Sequence, residues 1–249
     1  VGVLDERGHR VKSLRGTPQG AVISPLLANI YLHYSFDLWL NQQRNRATGD
    51  VTIVRYADDA VLGFQNHSDA VNCLTGLTER MSKFGLKVHP DKTKLVRFGL
   101  FARQQYVERS SRGKPGTFDF LGFTFYVGKT RSGKPIIKRK TKRKRLTAQI
   151  KSIRAELRKR LHEKPYDTGR WLRKVVQGHI NYYGVPFNAR SLNLFVNEVT
   201  KAWLWSLRRR SQRHNMDWKR FKFYARHFIP SPKIVHPYPE MRFYAKHPR

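Results

Sequence analysis

Two adjacent aspartates set between apolar arms constrain this chain more than any other feature. In "VTIVRYADDAVLGF", Val51, Ile53 and Val54 precede the pair, and Ala60, Val61, Leu62 and Phe64 follow it. The β-branched and aromatic content of both arms favours strands, so the segment reads as a buried hairpin with Asp58 and Asp59 at its bend. Aspartate is common in turns, and a plain turn is one reading of the pair. The other is chemical. Neighbouring ionised carboxylates repel and resist desolvation, so a half-buried pair is either protonated or bound to a cation.

Charge narrows the partner of that pair. The 249 residues carry 50 Lys and Arg against 17 Asp and Glu, a formal net charge of +33. Such an excess points to a polyanion. Hydrophobic residues make up 39% of the chain, enough for a folded core rather than a disordered polybasic tail. No apolar run is long enough to span a bilayer and no lipidation motif is visible, so no membrane partner is expected. Aromatics interleaved with Arg and Lys suit stacking on bases, which puts nucleic acid first. The single cysteine, Cys73, excludes an intrachain disulfide and a Cys-based zinc module. The opening "VGVLDERGHR" has no methionine and reads as part of a β-hairpin, from which the chain is expected to be a piece of something longer.

Periodicity then orders the elements into an α+β chain. After the Gly-containing stretch from Gly16 to Gly20, Ser24 reads as a helix N-cap with Pro25 at the first helical position, and Leu26, Leu27, Ile30, Tyr31, Tyr34 and Leu38 recur as a buried face. Beyond the Asp-Asp hairpin, Ser68 is expected to cap a helix with Val71, Leu74, Leu77, Met81 and Phe84 on one side, ending at Gly85. "LKVHPDKTKLVRFG" predicts two short strands around a turn at His89 to Lys92, and "FDFLGFTFYVGKTRSGKPIIKRK" a further hairpin. From Lys129 to Arg160 there are fifteen Lys or Arg and one acid, Glu156, so a boundary is expected at 128/129. Helical stripes follow: Leu146, Ile150, Ile153, Leu157 and Leu161; Trp171, Leu172, Val175, Val176, His179 and Ile180; and Leu192, Phe195, Val196, Val199 and Trp203. Trp171, Tyr182, Tyr183 and Trp203 read as bundle core. The last segment, 211–249, is basic, aromatic and Pro-containing, with one helix predicted from about Trp218 to Phe228; His236 and His247 show no metal-ligand pattern.

"RGTPQGAVISPLLANIYL", "YADD", "LKVHPDKTK" and "FLGF" occur in the order and spacing of a right-hand polymerase palm. They closely resemble the reverse transcriptases encoded by group II introns. "GHINYYGV", "LWSLRRRSQR", "KIVHPYPEMRF" and "HPR" resemble the maturase region of bacterial members that lack an HNH endonuclease. The resemblance implies a partial palm over 1–128, an α-helical thumb or maturase domain over 129–210, and a basic C-terminal extension over 211–249.

By that resemblance, Asp58 and Asp59 would hold two Mg²⁺ ions, with Mn²⁺ a possible substitute, for in-line attack of a primer 3′-hydroxyl on a dNTP. Lys92 would assist the leaving pyrophosphate as a cation or proton donor. Gly16, Thr17, Pro18, Gln19 and Gly20 would sit beside the incoming nucleotide and templating base, with Tyr56 and Ala57 near the primer terminus. Phe120, Leu121, Gly122 and Phe123 would grip the primer. Lys138, Arg139, Lys140, Lys142, Arg143, Lys144 and Arg145, with Arg208, Arg209 and Arg210, would contact nucleic acid. The partners implied are intron RNA, an RNA template with a DNA primer, and dNTP, in the cytoplasm of a bacterium.

One departure matters. Polymerases of this family use a third aspartate on an earlier palm strand, and only fifteen residues precede "GTPQG" here. Asp5 lies in a turn-like stretch too close to the loop motif to replace it. The chain alone is therefore expected to show little polymerase activity unless an N-terminal fingers and palm segment is supplied. An RNA-binding maturase without nucleotide chemistry, a domesticated or CRISPR-associated relative, and a mere fragment remain open readings.

Overall fold

Pro25 stands in the first turn of helix α1 (Ser24–Leu32), where its fixed φ suits a helix and its missing N–H costs nothing. Ser24 is the first helical residue rather than the cap, which is Ile23. The computed structural model describes residues 21–99, 115–210, 216–239 and 241, and the backbone of 2–4 and 10–12. Strands β1 (Gly2–Leu4) and β2 (Arg10–Lys12) pair antiparallel, as the opening hairpin predicts. The chain divides into two compact units, Val1–Leu95 and Val96–Arg249.

In the first unit, α1 runs through a π-helical turn, His33–Asp37, into α2 (Leu38–Arg46). Strands β3 (Val51–Tyr56) and β4 (Asp59–Phe64) form the hairpin, and α3 (His67–Lys83) follows. The core joins Phe36, Leu40, Cys73, Leu77 and Met81, with Ile53, Leu62 and Phe64 of the hairpin packed against it. The buried stripe of α3 is Ala70, Cys73, Leu77 and Met81. Leu77 and Met81 are buried as the spacing predicts, whereas at the N-terminal end Val71 is exposed and Ala70 and Cys73 take the inward positions. Asn66, not Ser68, occupies the cap position of α3. At its other end, Leu86 N–H donates to Met81 O at 2.9 Å and Gly85 N–H to Ser82 O at 3.0 Å, a Schellman closure.

Two expectations fail in this unit. The apolar face of α1 is not buried: Leu26, Leu27, Ile30, Tyr31, Tyr34 and Leu38 are all exposed. Helical spacing aligns such residues on one side but does not supply a surface to cover them. The residues around the His89 turn form no strands, although Lys92 and Thr93 N–H both donate to His89 O. Strand propensity reports fit to a pleated neighbour, and among the described residues none runs alongside.

The second unit opens with a three-stranded antiparallel sheet, β5 (Phe118–Phe120), β6 (Phe123–Lys129) and β7 (Pro135–Thr141). Helices α4 (Arg143–Lys159), α5 (Pro165–Tyr183), α6 (Ala189–Arg208) and α7 (Trp218–Phe228) follow. The compositional break at Lys129 falls on the last residue of β6, whose partner β7 belongs to the same unit. The core contains Leu157, Leu172, Val176, Ile180, Phe195 and Trp203. Asn188, fully buried at the start of α6, ties β7 to the helices. Its Oδ1 accepts from Thr141 N–H at 2.8 Å, and its Nδ2 donates to Thr141 Oγ1 and Tyr183 O, each at 2.8 Å.

His179 lies flat on Phe195, ring centroids 3.6 Å apart, with Nδ1 2.8 Å from Gln149 Oε1 and, among the described residues, no hydrogen-bond partner on Nε2. Burial pushes its pKa down to about 4. The unfolded chain, with an ordinary imidazole, then binds the extra proton first as pH falls. Stability of this unit is expected to be full above about pH 6.5 and to decline toward pH 4, by up to about 1.4 kcal/mol per pH unit. Urea denaturation across that range checks this, and a flatter pH dependence in His179→Gln identifies the group.

Candidate active site

Strands β3 and β4 pair from Val51↔Phe64 to Tyr56↔Asp59, leaving a two-residue loop of Ala57 and Asp58. Along β3, inward and outward residues alternate strictly. The hairpin is therefore half-buried rather than buried, with Val54 46% and Tyr56 66% exposed. Ala57 has φ +53°, a left-handed conformation that two-residue hairpin loops require and that glycine usually supplies. A non-glycine residue held there stores strain that the surrounding structure must override.

That geometry carries Asp58 and Asp59 side by side at an exposed tip. Neither carboxylate has an ion-pair or hydrogen-bond partner among the described residues. Behind the tip, the Arg55 guanidinium is committed. Its Nε and Nη2 donate to Asp37 Oδ1 and Oδ2 at 2.7 and 2.6 Å, while Nη1 donates to Asn29 Oδ1 at 2.8 Å and Ala57 O at 2.9 Å. The Arg55 hydrogen bonds hold the Asp37 carboxyl below the usual carboxylate range, against the opposing effect of burial.

Of the remaining candidates in this unit, Lys92 is exposed in the His89 turn. Gly16, Thr17, Pro18, Gln19 and Gly20 lie outside the described residues, as does His247.

In the second unit, Phe120 and Phe123 close another two-residue hairpin over Leu121 (φ +47°) and Gly122 (φ +78°). Two successive positive φ values are the signature of a type I′ turn. The C-terminal end of α5 braces it: Tyr182 Oη donates to Leu121 O at 3.0 Å, and a Cβ on Gly122 would lie 2.9 Å from Tyr183 Oη. Phe123 stacks on Tyr182 at 5.9 Å and meets Tyr183 at 5.2 Å. Tyr182, read from the sequence as core, is 53% exposed. An aromatic pair at a helix end has the same pattern whether it fills a core or props a loop, so the sequence carried no signal for this bracing role. Trp203 is fully buried, and Trp171 is partly buried beneath the Arg160 guanidinium. His236 rests on the carbonyl of Asn181.

The candidate cations divide into tethered and free-standing groups. Lys142 pairs with Asp119 at 3.0 Å, and Lys138 donates to Lys129 O at 2.6 Å and lies over Phe187. Lys140 covers the Tyr126 ring, and Arg139 is half-buried on the same strand. Arg208 donates to Met216 O, Arg209 covers Trp205, and Arg210 donates to Glu163 O. Arg143, Lys144 and Arg145 are exposed in the first turn of α4, which has no acidic residue. Cations there oppose the helix dipole, an arrangement that an anion would relieve.

The family model for reverse transcriptase (RNA-dependent DNA polymerase) matches residues 3–125. Residues 3–125 are a reverse transcriptase domain. The match takes in the Asp-Asp hairpin and the FLGF turn, and it ends within β6. The matched domain is that of RNA-directed DNA polymerases, nucleotidyltransferases that bind template, primer and dNTP. No curated protein matches the chain.

Reverse transcriptases generally use divalent metal ions. Among the described residues there is no group of three or more His, Cys, Asp or Glu side chains that could hold one. The tip supplies two carboxylates, hard oxygen donors with no competing cation among the described residues. Such a pair suits Mg²⁺, which is held by one or two carboxylates, keeps several waters and shares the phosphates of its substrate. The residues present fit the metal that the reverse transcriptase domain implies. Among the described residues no helix is long and apolar enough to cross a membrane.

Proposed function

We propose that the chain is the metal-bearing part of a group II intron reverse transcriptase and maturase, joining RNA-templated DNA synthesis to binding of its intron RNA. The observation that carries the synthetic half is the presentation of Asp58 and Asp59 at a strained, braced tip within a reverse transcriptase domain. Asp58 and Asp59 would hold the magnesium ions, which when bound acidify the primer 3′-hydroxyl and neutralise charge on the departing pyrophosphate. Tyr56, exposed beside the tip, offers an aromatic face near the primer end. Lys92 offers an exposed ammonium for the leaving group. The FLGF turn would hold the primer strand, its shape set by Tyr182 and Tyr183.

The RNA-binding half rests on the helical unit and its exposed cations. Replacing Arg143, Lys144 and Arg145 together with glutamine is expected to weaken intron-RNA binding and to lower the slope of log affinity against log salt by about 2 to 3. Filter binding over a salt series reads this directly.

Two assays on one preparation test the whole proposal. The first is Mg²⁺-dependent primer extension on an RNA template, by the chain alone and with an N-terminal fingers and palm segment added. The second is stimulation of intron splicing. Extension lost in Asp58→Ala, with splicing stimulation retained, supports both halves. Splicing stimulation without extension under either condition assigns an RNA-binding maturase instead. Absence of both activities overturns the proposal.

A further inference from the structure

The π-helical turn His33–Asp37 and the hairpin tip are joined by one connected set of hydrogen bonds. A π turn displaces the ordinary i→i−4 ladder: Leu38 N–H donates to His33 O, five residues back. The displacement leaves carbonyls needing other donors. Arg80 of α3 supplies them, its Nε donating to Ser35 O at 3.1 Å and its Nη2 to Tyr34 O at 3.3 Å. The Arg80 guanidinium lies over the Phe84 ring at 4.4 Å, which fixes the plane from which it donates. Ser35, fully buried, donates its hydroxyl to Tyr31 O at 2.8 Å. The irregular turn is therefore satisfied from outside and within, and it sets the position of its last residue, Asp37.

Asp37 in turn fixes Arg55. A bidentate carboxylate–guanidinium pair defines both the position and the plane of the guanidinium, which a single contact to lysine would not. The Asp37 and Arg55 side chains are 24% and 17% exposed, so the pair is shielded from the solvent that weakens surface ion pairs. The remaining Nη1 donors reach Asn29 Oδ1 and Ala57 O. Ala57 is the strained residue immediately before Asp58. Its carbonyl belongs to the peptide unit that continues into Asp58, so pinning that oxygen restricts the orientation of the first tip carboxylate.

We infer that Arg55, oriented by Asp37 and Asn29, is a positioning residue for the metal-binding tip: it holds the Ala57 carbonyl so that Asp58 and Asp59 are presented in one arrangement to a divalent cation. This rests on the assignment of Asp58 and Asp59 as metal ligands. It assigns the Asp37 carboxylate a separate role, as the orienting partner of Arg55, and gives the π turn a function as the element that places Asp37. Hydrogen-bonding groups behind metal ligands tune affinity in this way in many metal sites.

The test uses Mn²⁺ alone, followed by paramagnetic broadening of the Asp58 and Asp59 amide signals in the intact chain. In the wild type, broadening is expected to saturate with added Mn²⁺ and to vanish in the Asp58→Ala, Asp59→Ala double variant. In Arg55→Lys and in Asp37→Asn the midpoint is expected to rise by about tenfold or more, and the two changes together are expected to cost no more than either alone. Both substitutions are close in volume to the native residue, and thermal melts identify any variant that has lost its fold, in which case the other decides. An unchanged midpoint in a folded Arg55→Lys or Asp37→Asn overturns the positioning role while leaving the metal assignment intact. Absence of broadening in the wild type overturns the metal assignment, and the positioning role with it.

Discussion

Alanine at Asp58 or Asp59 is expected to abolish RNA-templated primer extension, lowering the rate by about 10³-fold or more wherever the unsubstituted protein is active. The effect is large because no neighbouring group is positioned to substitute. Among the described residues neither carboxylate is shared with a protein cation, and no third acidic, Cys or His side chain joins them in a metal-sized cluster. A carboxylate that merely capped a turn could be replaced with little consequence; one that holds the metal could not. The same substitutions are expected to leave thermal stability almost unchanged, since both side chains are exposed and unpaired. Steady-state primer extension together with a thermal melt separates these outcomes. Comparable losses of rate and stability would show that the tip serves the fold rather than the chemistry.

Trp203→Ala is expected to have the largest effect on stability, costing about 3–5 kcal/mol in the second unit. The side chain is fully buried, and its ring makes edge contacts with Phe221, Tyr224 and Phe228 at 5.3, 6.4 and 6.1 Å. Removing it leaves a cavity between α6 and α7 that these large, rigid rings cannot collapse to fill. Trp203→Phe provides the informative contrast. Among the described residues Trp203 Nε1 is buried without an acceptor, so phenylalanine loses some packing but also removes an unsatisfied donor. The two effects oppose each other, and Trp203→Phe is expected to lie within about 1 kcal/mol of the wild type. Urea denaturation followed by far-ultraviolet circular dichroism measures both variants. A cost for phenylalanine close to that for alanine would mean that the indole N–H has a partner in solution.

The Asp-Asp hairpin was legible because both arms and the bend carry short-range signals: β-branched arms, polar tip, and a loop too short for any other topology. The helices of the second unit were legible for a related reason. Their stripes repeat over several turns, and the helix predicted from about Trp218 to Phe228 occupies those residues. What stayed hidden depends on contacts distant in sequence. The π turn persists because Arg80, 45 residues from Ser35, satisfies its displaced carbonyl. Arg55 reads as an ordinary strand residue until Asp37, 18 residues earlier, is seen to grip it. Asn188 and Tyr182 resemble a loop residue and a core aromatic, yet one joins sheet to helices and the other supports the FLGF turn. The residues of the GTPQG motif lie outside the described residues.

The uncovered side of α1 governs how the protein behaves as a colloid. Ile23, Leu26, Leu27, Ile30 and Tyr34 follow one another at helical spacing with their side chains in water, on a chain with a formal net charge of +33. At low ionic strength, mutual repulsion between such cationic particles keeps these strips apart. Added electrolyte shortens the range of that repulsion to about 8 Å near physiological strength while leaving the attraction between apolar surfaces in place. Electrolyte thus loosens the grip on a polyanion while bringing like molecules closer together, and the free protein is best dispersed at low ionic strength.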